Sequence, residues 1–388
     1  MSACFIDVAT PKILLFANGF AVIIRQRASN MTRILDALKD AEYKCVATTA
    51  PETLLQEESN VDNSPVPVHY RPFETPRPNG RYLPVDMLEG NAQSLFKFFV
   101  DGSERLTKIA DIIDPSNNYY PLYVAQTSVA TTKLVEATVR VEDFQMDNAL
   151  MLPDTFDLMD IKRIDEIVQG ADSNSKRKLC LEIDTYAVGD GDKPSDQARK
   201  AVLKRMHEKE IRVIESLAGS GKVTRENMLV IDGALEFYEK FQSESFRNVV
   251  GVSKRFDMNK PIGTGNSRIQ AGVLVARLPD KHRTPAIGLS HRNLHIGTWY
   301  LRIRDAKYLR TPQDGVVKIE IFPDKPTDSR QKLEGGRCDI ISSHVLALRD
   351  ASTPLTDRRW ASHLYPVYIT EQFAKAQFYN PEVLSAFF

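Results

Sequence analysis

The fold class is decided by the stretch Met228-Leu229-Val230-Ile231-Asp232-Gly233, in which four apolar residues end in an Asp-Gly pair. A largely apolar run from Leu95 to Val100 repeats this design and is followed by Asp101-Gly102-Ser103. Short apolar runs bounded by turn residues are typical of buried strands. The two stretches therefore predict two strands with an aspartate at each carboxyl end.

Helical and extended patterns alternate around these two strands. Between them, residues 199 to 218 predict a helix, because their apolar side chains recur at helical spacing on one face. Further strands are predicted over Val249 to Val252, Thr298 to Ile303 and Val316 to Phe322. Strands interleaved with helices are typical of an α/β domain.

The first part of the chain has a different composition. Residues 51 to 84 contain seven prolines and a polar run, which is typical of a long irregular connection. Before it, Ile13 to Arg25 predicts a strand or hairpin and Met31 to Tyr43 a short helix. We expect an N-terminal accessory segment over residues 1–90 and an α/β domain with insertions over residues 91–388.

Composition excludes several classes of protein. The 388 residues carry 51 Lys plus Arg and 51 Asp plus Glu, so the strong positive charge of a nucleic-acid coat protein is missing. The four cysteines are far apart, which argues against a disulfide framework or a zinc site. The longest apolar stretch, Ile13 to Ile24, is too short to cross a membrane and lacks signal-peptide features, so we expect a cytoplasmic protein without membrane contact.

The two strand-end aspartates, Asp101 and Asp232, are candidates for a metal site. An Asp-Gly pair also suits a tight hairpin turn, so each site alone has a structural explanation. In an open α/β sheet, however, side chains at the carboxyl ends of neighbouring strands converge on one crevice. Carboxylates that meet there repel unless a cation lies between them, and their oxygens suit Mg²⁺ or Mn²⁺. Such ions can catalyse phosphodiester displacement.

A third carboxylate is available on the helix before Asp232. Of its glutamates, Glu210 lies in the middle of the apolar stripe, whereas Glu208 and Glu215 point away from it. A carboxylate on the sheet-facing side is costly to bury without a partner, which makes Glu210 the candidate.

Taken in order, several short motifs resemble the NurA nuclease family over about residues 95 to 380. They are Val100-Asp101-Gly102-Ser103, Leu229-Val230-Ile231-Asp232-Gly233-Ala234-Leu235, Val250-Gly251-Val252-Ser253-Lys254, Trp299-Tyr300-Leu301-Arg302, Lys318-Ile319-Glu320 and Tyr365-Pro366. The resemblance implies an RNase H-like fold around a mixed sheet flanked by helices, a homodimer, and manganese-dependent DNA cleavage. It also implies a HerA-type hexameric ATPase as partner, in DNA end processing or antiviral defence.

The resemblance assigns roles to individual residues. Asp101 and Asp232 match the two metal-binding aspartates, and Lys254 matches a lysine after the third strand that would contact the scissile phosphate. The family glutamate lies on the preceding helix, where spacing favours Glu215 and helix facing favours Glu210; we choose Glu210. Tyr365 is expected to orient a phosphate or a water molecule.

One departure from the family pattern keeps an alternative open. Eight residues after the tyrosine of the Tyr-Pro motif the family has a histidine, where this chain has Phe373. Either His363 or His344 replaces it, or the chemistry proceeds with the carboxylates and Lys254, or the enzyme is attenuated. The alternative function is a catalytically weak scaffold that regulates an ATPase ring and binds DNA without cutting; action on RNA or RNA-DNA hybrids is a third possibility.

Aromatic and basic residues alternate near residue 300. Arg302 and Arg304 lie close to Tyr300, and aromatic side chains among arginines can stack on bases while the cations follow the backbone. We therefore expect Tyr300, Arg302 and Arg304 to contact nucleic acid.

Overall fold

A computed structural model describes most of the chain from residue 33 onwards. The described residues are 33–54, 71–76, 78–88, 93–173, 178–189, 191–235, 246–262, 268–291, 294–305, 307, 309, 311, 313–325, 328, 330–349 and 360–388. The predicted strand or hairpin from Ile13 to Arg25 lies outside them.

The described elements alternate between strands and helices. The strands are β1 Cys45–Leu54, β2 Arg71–Pro72, β3 Glu74–Thr75, β4 Leu83–Pro84, β5 Phe96–Ile113, β6 Tyr119–Val135, β7 Thr138–Pro153, β8 Leu181–Tyr186, β9 Met228–Asp232, β10 Val249–Ser253, β11 Pro261–Ile262, β12 Ile269–Gln270, β13 His282–Arg283, β14 Ile287–His291, β15 Leu294–Arg302, β16 Val316–Ile321 and β17 Leu333–Glu334. The helices are α1 Ile34–Asp40, α2 Leu158–Ser173, α3 Pro194–Gly219, α4 Ala271–Ala276, α5 Gly335–Ala347, α6 Tyr365–Ala376 and α7 Pro381–Ser385, with a 3₁₀ turn at Trp360–Ser362.

A large mixed sheet forms the centre of the molecule. Its main path runs β2-β14-β15-β16-β10-β9-β5-β6-β7-β8. Strand β9 is parallel to both β5 and β10, whereas β5, β6 and β7 form a long antiparallel meander. Helices pack against this sheet, and the predicted α/β class with a mixed sheet flanked by helices is confirmed.

The helix and the three further strands that the sequence predicts are present. The helix over residues 199–218 is α3, and the strands are β10, β15 and β16. The helix predicted from Met31 to Tyr43 is the shorter α1. None of the described helices is both long and apolar enough to span a membrane.

Strand β5 differs from its predicted form. The predicted strand ends at Val100, but β5 continues through Asp101 and Gly102 to Ile113, paired with β6 along its length. Gly102 is therefore a strand residue, and a methyl group on it would lie 2.5 Å from Oε1 of Glu210 on α3. This glycine serves the close approach of helix and strand rather than a turn.

The two halves of β5 have different neighbours on the edge opposite β6. Its first half pairs with β9 as far as Val100, and its second half pairs with β1 from Leu106 onwards. The segment from Asp101 to Arg105 thus faces the gap where β9 has ended and β1 has not begun. Asp101 lies at the start of this gap.

Parts of the expected accessory segment are built into the sheet. Strand β1 pairs with β5, β2 with β14 and β4 with β13, while β3 pairs with β17 outside the main sheet. The buried Glu74 on β3 receives two hydrogen bonds from the Arg283 guanidinium, at 2.7 and 3.0 Å. These described parts add strands to the core, and the boundary at residue 90 stays a prediction.

Candidate metal centre

Asp101 and Asp232 occupy neighbouring positions on two parallel strands. Val100 pairs with Ile231, so the aspartates that follow them lie side by side, and their side chains point to the same face of the sheet. Strand β9 ends at Asp232, and Gly233 after it has φ +142°. The strand-end geometry that the sequence predicts is therefore present at Asp232, while Asp101 lies within a longer strand.

A third carboxylate, Glu371, joins the two aspartates from helix α6. One carboxylate oxygen from each of Asp101, Asp232 and Glu371 lies within 4.8 Å of the others. Helix α6 is held on this face of β6 by a 2.6 Å hydrogen bond between the Thr132 and Thr370 hydroxyls. The sheet and α6 together place three acidic side chains at one point, and we call these three residues the carboxylate cluster.

Lys254 supplies positive charge to the carboxylate cluster. It follows β10, and its Nζ lies 2.6 Å from Oδ2 of Asp232 and 3.6 Å from Oε2 of Glu371. Burial lowers the pKa of Lys254, but attraction by Asp232, Glu371 and Asp101 outweighs it and raises the pKa above its ordinary value. Lys254 is therefore protonated at neutral pH.

Asp101 is poorly satisfied in this arrangement. Burial, followed by repulsion from Asp232 and Glu371, raises the pKa of Asp101 well above its ordinary value, although Lys254 offsets part of the effect. Its Oδ2 is buried and has no hydrogen-bond partner among the described residues.

The donor set of the carboxylate cluster fits a divalent cation. Three carboxylates meet beside the buried Lys254, and one of their buried oxygens, Oδ2 of Asp101, has no hydrogen-bond partner among the described residues. Oxygen-only donors suit the hard ions Mg²⁺ and Mn²⁺. Asp101, Asp232 and Glu371 would hold such an ion, whose charge would offset their repulsion.

Glu210, the carboxylate predicted to complete the site, lies on the other face of β5. In the β5–β6 pair, directly opposite residues share a face. Asp101 pairs with Ala130, in the row whose Ser128 hydroxyl contacts the backbone of α6, whereas Gly102 belongs to the alternate row that faces α3. Glu210 lies against Gly102, so the structure places Glu371, and not Glu210 as predicted, beside Asp101 and Asp232.

The burial expected of Glu210 is nonetheless correct. Its side chain is buried, and its Oε2 lies 2.9 Å from Nδ1 of His207. Burial lowers the pKa of His207, but the hydrogen bond and charge of Glu210 outweigh it and raise the pKa above its ordinary value. The buried carboxylate on α3 is thus partnered by a histidine. Glu215 on the same helix is half-buried.

Sequence reasoning missed Glu371, although the signal that selected Glu210 was also present there. The buried residues of α6 are Pro366, Val367, Thr370, Glu371 and Ala374, a stripe at helical spacing. Glu371 is thus a carboxylate within an apolar stripe, as Glu210 is.

The aromatic ring at Phe373 packs edge-on against Phe144, with ring centroids 5.4 Å apart. The two histidines considered as replacements have other contacts. Nδ1 of His344 accepts a hydrogen bond from the Leu95 N–H at 3.2 Å, and burial lowers the pKa of His344. The ring of His363 lies 5.3 Å from that of Tyr368. Neither of these contacts is with a member of the carboxylate cluster.

Tyr365 begins helix α6, which carries Glu371. Its side chain is exposed, and its backbone N–H donates to the Leu348 carbonyl at 2.8 Å. The predicted role of Tyr365 in orienting a phosphate or water stays a prediction.

The expected nucleic-acid contacts of Tyr300 and Arg302 are not supported by the structure, because β15 lies between β14 and β16 with both faces covered. The Tyr300 ring is buried with its centroid 4.8 Å from that of Phe256. The buried Arg302 guanidinium donates to the carbonyls of Leu278, Val275 and Asp314 at 2.6, 3.0 and 3.2 Å. Arg304, just beyond β15, is half-buried.

The sequence matches no family model and no curated protein. The structure is similar to that of the NurA nuclease from Sulfolobus solfataricus, with 10% identity and a TM-score of 0.42 over 76% of this chain and 82% of that chain. It is also similar to the catalytic domain of human endonuclease V, with 10% identity and a TM-score of 0.31 over 76% and 89% of the two chains. For endonuclease V from Streptomyces avermitilis the values are 11%, 0.26, 75% and 86%. TM-scores this low carry no argument about function, which has to rest on the site itself.

Proposed function

We propose that this protein is a divalent-metal-dependent nuclease that hydrolyses DNA phosphodiesters at the carboxylate cluster. The observation that carries the proposal is the meeting of Asp101, Asp232 and Glu371 within 4.8 Å, beside the buried Lys254. The three carboxylates outnumber the two lysines that contact them, Lys254 and Lys375, and Mg²⁺ or Mn²⁺ would offset the remaining negative charge. The order of motifs that resembles the NurA family supports the same reaction.

The bound ion would supply an activated water and electrophilic stabilisation of the phosphate. The chain's own residues hold and orient the reacting groups. Asp101 and Asp232 stand on adjacent strands of a rigid sheet, so their separation is fixed by the backbone pairing. Lys254 bridges Asp232 and Glu371, and its positive charge reduces the repulsion that a phosphate would meet near three carboxylates.

The finer parts of the proposal come from the resemblance. They are a HerA-type hexameric ATPase as partner, a homodimer, manganese as the ion, and a role in DNA end processing or antiphage defence. The proposed cytoplasmic location comes from the sequence pattern instead. A separate translocase fits a chain of zero net charge, because strong capture of DNA generally requires a basic surface.

One observation favours the second candidate, a catalytically weak scaffold that regulates an ATPase ring and binds DNA without cutting. Where the family pattern has a histidine, the Phe373 ring packs against Phe144 and offers neither a metal ligand nor a proton carrier. In this candidate the carboxylate cluster would bind the ion without turnover.

Cleavage assays separate the two candidates. The parent protein is incubated with linear duplex or single-stranded DNA and Mn²⁺, with and without a HerA-type ATPase, beside Asp101→Ala and Asp232→Ala. The nuclease proposal expects cleavage by the parent and loss of at least about a hundredfold in both variants, because each removes a ligand. Undiminished cleavage by both variants would refute the site, and a parent that never cuts would favour the scaffold.

A further inference from the structure

Two adjoining cavities lie away from the carboxylate cluster. Their volumes are about 410 and 440 Å³, and they share Arg225 and Asp324 in their walls. Cationic side chains dominate the lining of the two, which we call the basic cleft: Arg225, Arg247, Lys325, Arg330, Lys332 and Arg337. The acidic side chains in the same linings are Asp324 and Glu334.

The charge of the basic cleft contrasts with that of the whole chain. Six cationic and two acidic side chains give a formal charge of +4 there, in a protein whose formal net charge is zero. Positive charge is therefore in excess along this lining, although Arg330 also pairs with Asp328 at 3.5 Å. Like charges that converge on one cavity repel one another unless an anion lies between them.

The basic cleft and the carboxylate cluster lie at opposite ends of the same strands, β9 and β10. Arg225 precedes β9, Arg247 precedes β10, and Arg337 lies in the first turn of α5. Asp232 and Lys254 stand at the other ends of the same two strands, about 13 Å away along β9 at the usual rise per residue. The first turn of α5 adds the partial positive charge of a helix N-terminus to the basic cleft.

Arg337 is an enclosed cation in the wall of this cleft. Its side chain is 11% exposed, its Nη1 lies 3.3 Å from Oδ1 of Asp324, and its Nη2 donates to the Arg247 carbonyl over 3.5 Å. Burial lowers the pKa of Arg337, Asp324 raises it, and repulsion by Arg225 adds to the lowering, which prevails. The protein thus compensates this buried charge only partly.

We propose that the basic cleft binds a ligand that carries neighbouring phosphate groups. Guanidinium groups bind phosphate through paired N–H donors, and four arginines line the cleft. Because the two cavities adjoin at Arg225, a ligand with more than one phosphate can occupy both. The phosphates can belong to a nucleic-acid backbone or to a nucleotide, and the binding is separate from the chemistry of the carboxylate cluster.

Binding measurements in EDTA test the proposal without requiring cleavage. The probes are inorganic pyrophosphate and ATP, followed by calorimetry, and a fluorescent single-stranded DNA, followed by anisotropy. The double variant Arg225→Gln/Arg330→Gln changes side chains that are 59% and 91% exposed, so the fold should tolerate it. Arg337→Gln tests the enclosed arginine. We expect each to weaken binding about tenfold or more, since charge-assisted contacts to phosphate are lost.

The matched control removes two positive charges elsewhere. Lys200→Gln/Lys204→Gln alters two exposed lysines on α3 and should change the affinity by less than about twofold. Because these measurements are made in EDTA and require no cleavage, a failed nuclease proposal and a failed cleft proposal give different results. Loss of pyrophosphate and ATP binding in the cleft variants identifies a nucleotide site, and loss of DNA binding alone identifies a backbone site. The proposal is overturned if no probe binds the parent, or if the cleft variants bind as tightly as the parent or the control.

Discussion

Asp101 has unfavourable electrostatic surroundings, because burial and repulsion from Asp232 and Glu371 act on a carboxylate whose buried Oδ2 has no described hydrogen-bond partner. Without a cation, folding brings a negative charge out of water into this position. Such a group reduces the stability of the ligand-free protein. In a binding site of this kind, the arrangement that binds a cation lowers the stability of the cation-free protein.

Asp101→Asn should therefore stabilise the ligand-free protein while removing its response to metal. The folded pKa of Asp101 lies above its unfolded value, so the folded state holds the proton more tightly. The stability that depends on this proton is lost as pH rises from about 4, the ordinary pKa of aspartate, through the raised value. At pH 7 in EDTA we expect a gain of about 1–3 kcal/mol, seen as a Tm higher by a few degrees.

Thermal unfolding at pH 7 and pH 4 measures this effect. The difference between Asp101→Asn and the parent should shrink at pH 4, where the parent's carboxyl is protonated. Added Mn²⁺ should raise the Tm of the parent and have little effect on the variant. An equal or lower Tm for the variant in EDTA at pH 7 would contradict the electrostatic argument.

Lys254→Met should have the opposite effect on the ligand-free protein. It removes the buried cation next to Asp232 and Glu371, and we expect a loss of about 3–5 kcal/mol in urea unfolding. Lys375→Met is the matched control, because Nζ of Lys375 lies 2.6 Å from Oε1 of Glu371 but its side chain is 37% exposed. That pair should contribute no more than about 1 kcal/mol, and equal losses in the two variants would count against a special role for Lys254.

Substitutions of Glu371 and Glu210 should have different effects on metal affinity. Glu371→Gln should weaken Mn²⁺ binding by at least about tenfold, because it removes one of three charged ligands. Glu210→Gln should change the affinity by less than about threefold, since this carboxylate lies across β5 and pairs with His207. Calorimetric titration of both variants decides between them, and the reverse order of effects would restore Glu210 as the ligand.

Among the elements, α3 lies close against β5 at Gly102. A methyl group there would lie 2.5 Å from Oε1 of Glu210 and 2.9 Å from Cγ of Met206. We expect Gly102→Ala to cost about 1–3 kcal/mol in chemical denaturation, because α3 or the Glu210 side chain has to move. Gly170→Ala on α2 is the control: nothing lies within 4 Å of its added methyl, so it should be neutral or slightly stabilising.

A second substitution shows whether the contact is the cause. If the clash with Glu210 is responsible, Glu210→Ala should recover part of the loss, and the double variant should be more stable than the sum of the two single effects indicates. Strict additivity would mean that Gly102 matters for another reason, such as the backbone of β5.

The elements show which parts of the structure could be predicted from the sequence. Strand β9 and helix α3 follow from short-range patterns, since apolar runs and helical spacing report local burial. The end predicted at Asp101 is wrong, because Asp-Gly suits a turn unless a partner such as β6 continues the pairing beyond it. That partner lies later in the chain, where no local signal identifies it.

The same distinction applies to the site. Asp101 and Asp232 could be found because their strand pattern is repeated, and their side chains do meet. Whether Glu210 or Glu371 joins the aspartates depends on which helix covers which face of β5, and both helices carry a buried glutamate. The buried position of Tyr300 and Arg302 likewise depends on β14 and β16, which enclose β15.

In the whole molecule, acidic and basic side chains are grouped at opposite ends of the central strands. The carboxylate cluster and the basic cleft stand at opposite ends of β9 and β10, so zero net charge conceals an acidic and a basic site. If both proposals hold, a nucleic acid would bind at the basic cleft and be cut at the carboxylate cluster.

The three members of the carboxylate cluster are also far apart in sequence, with 131 positions from Asp101 to Asp232 and 139 from there to Glu371. Contacts between such distant segments form late when a chain refolds, after local helices and hairpins. High-affinity uptake of Mn²⁺ by refolding protein should therefore wait until α6 has docked on β6. The rate of Mn²⁺ uptake would then report the docking of α6 on β6. A chain that had not completed this docking would be unable to retain the ion.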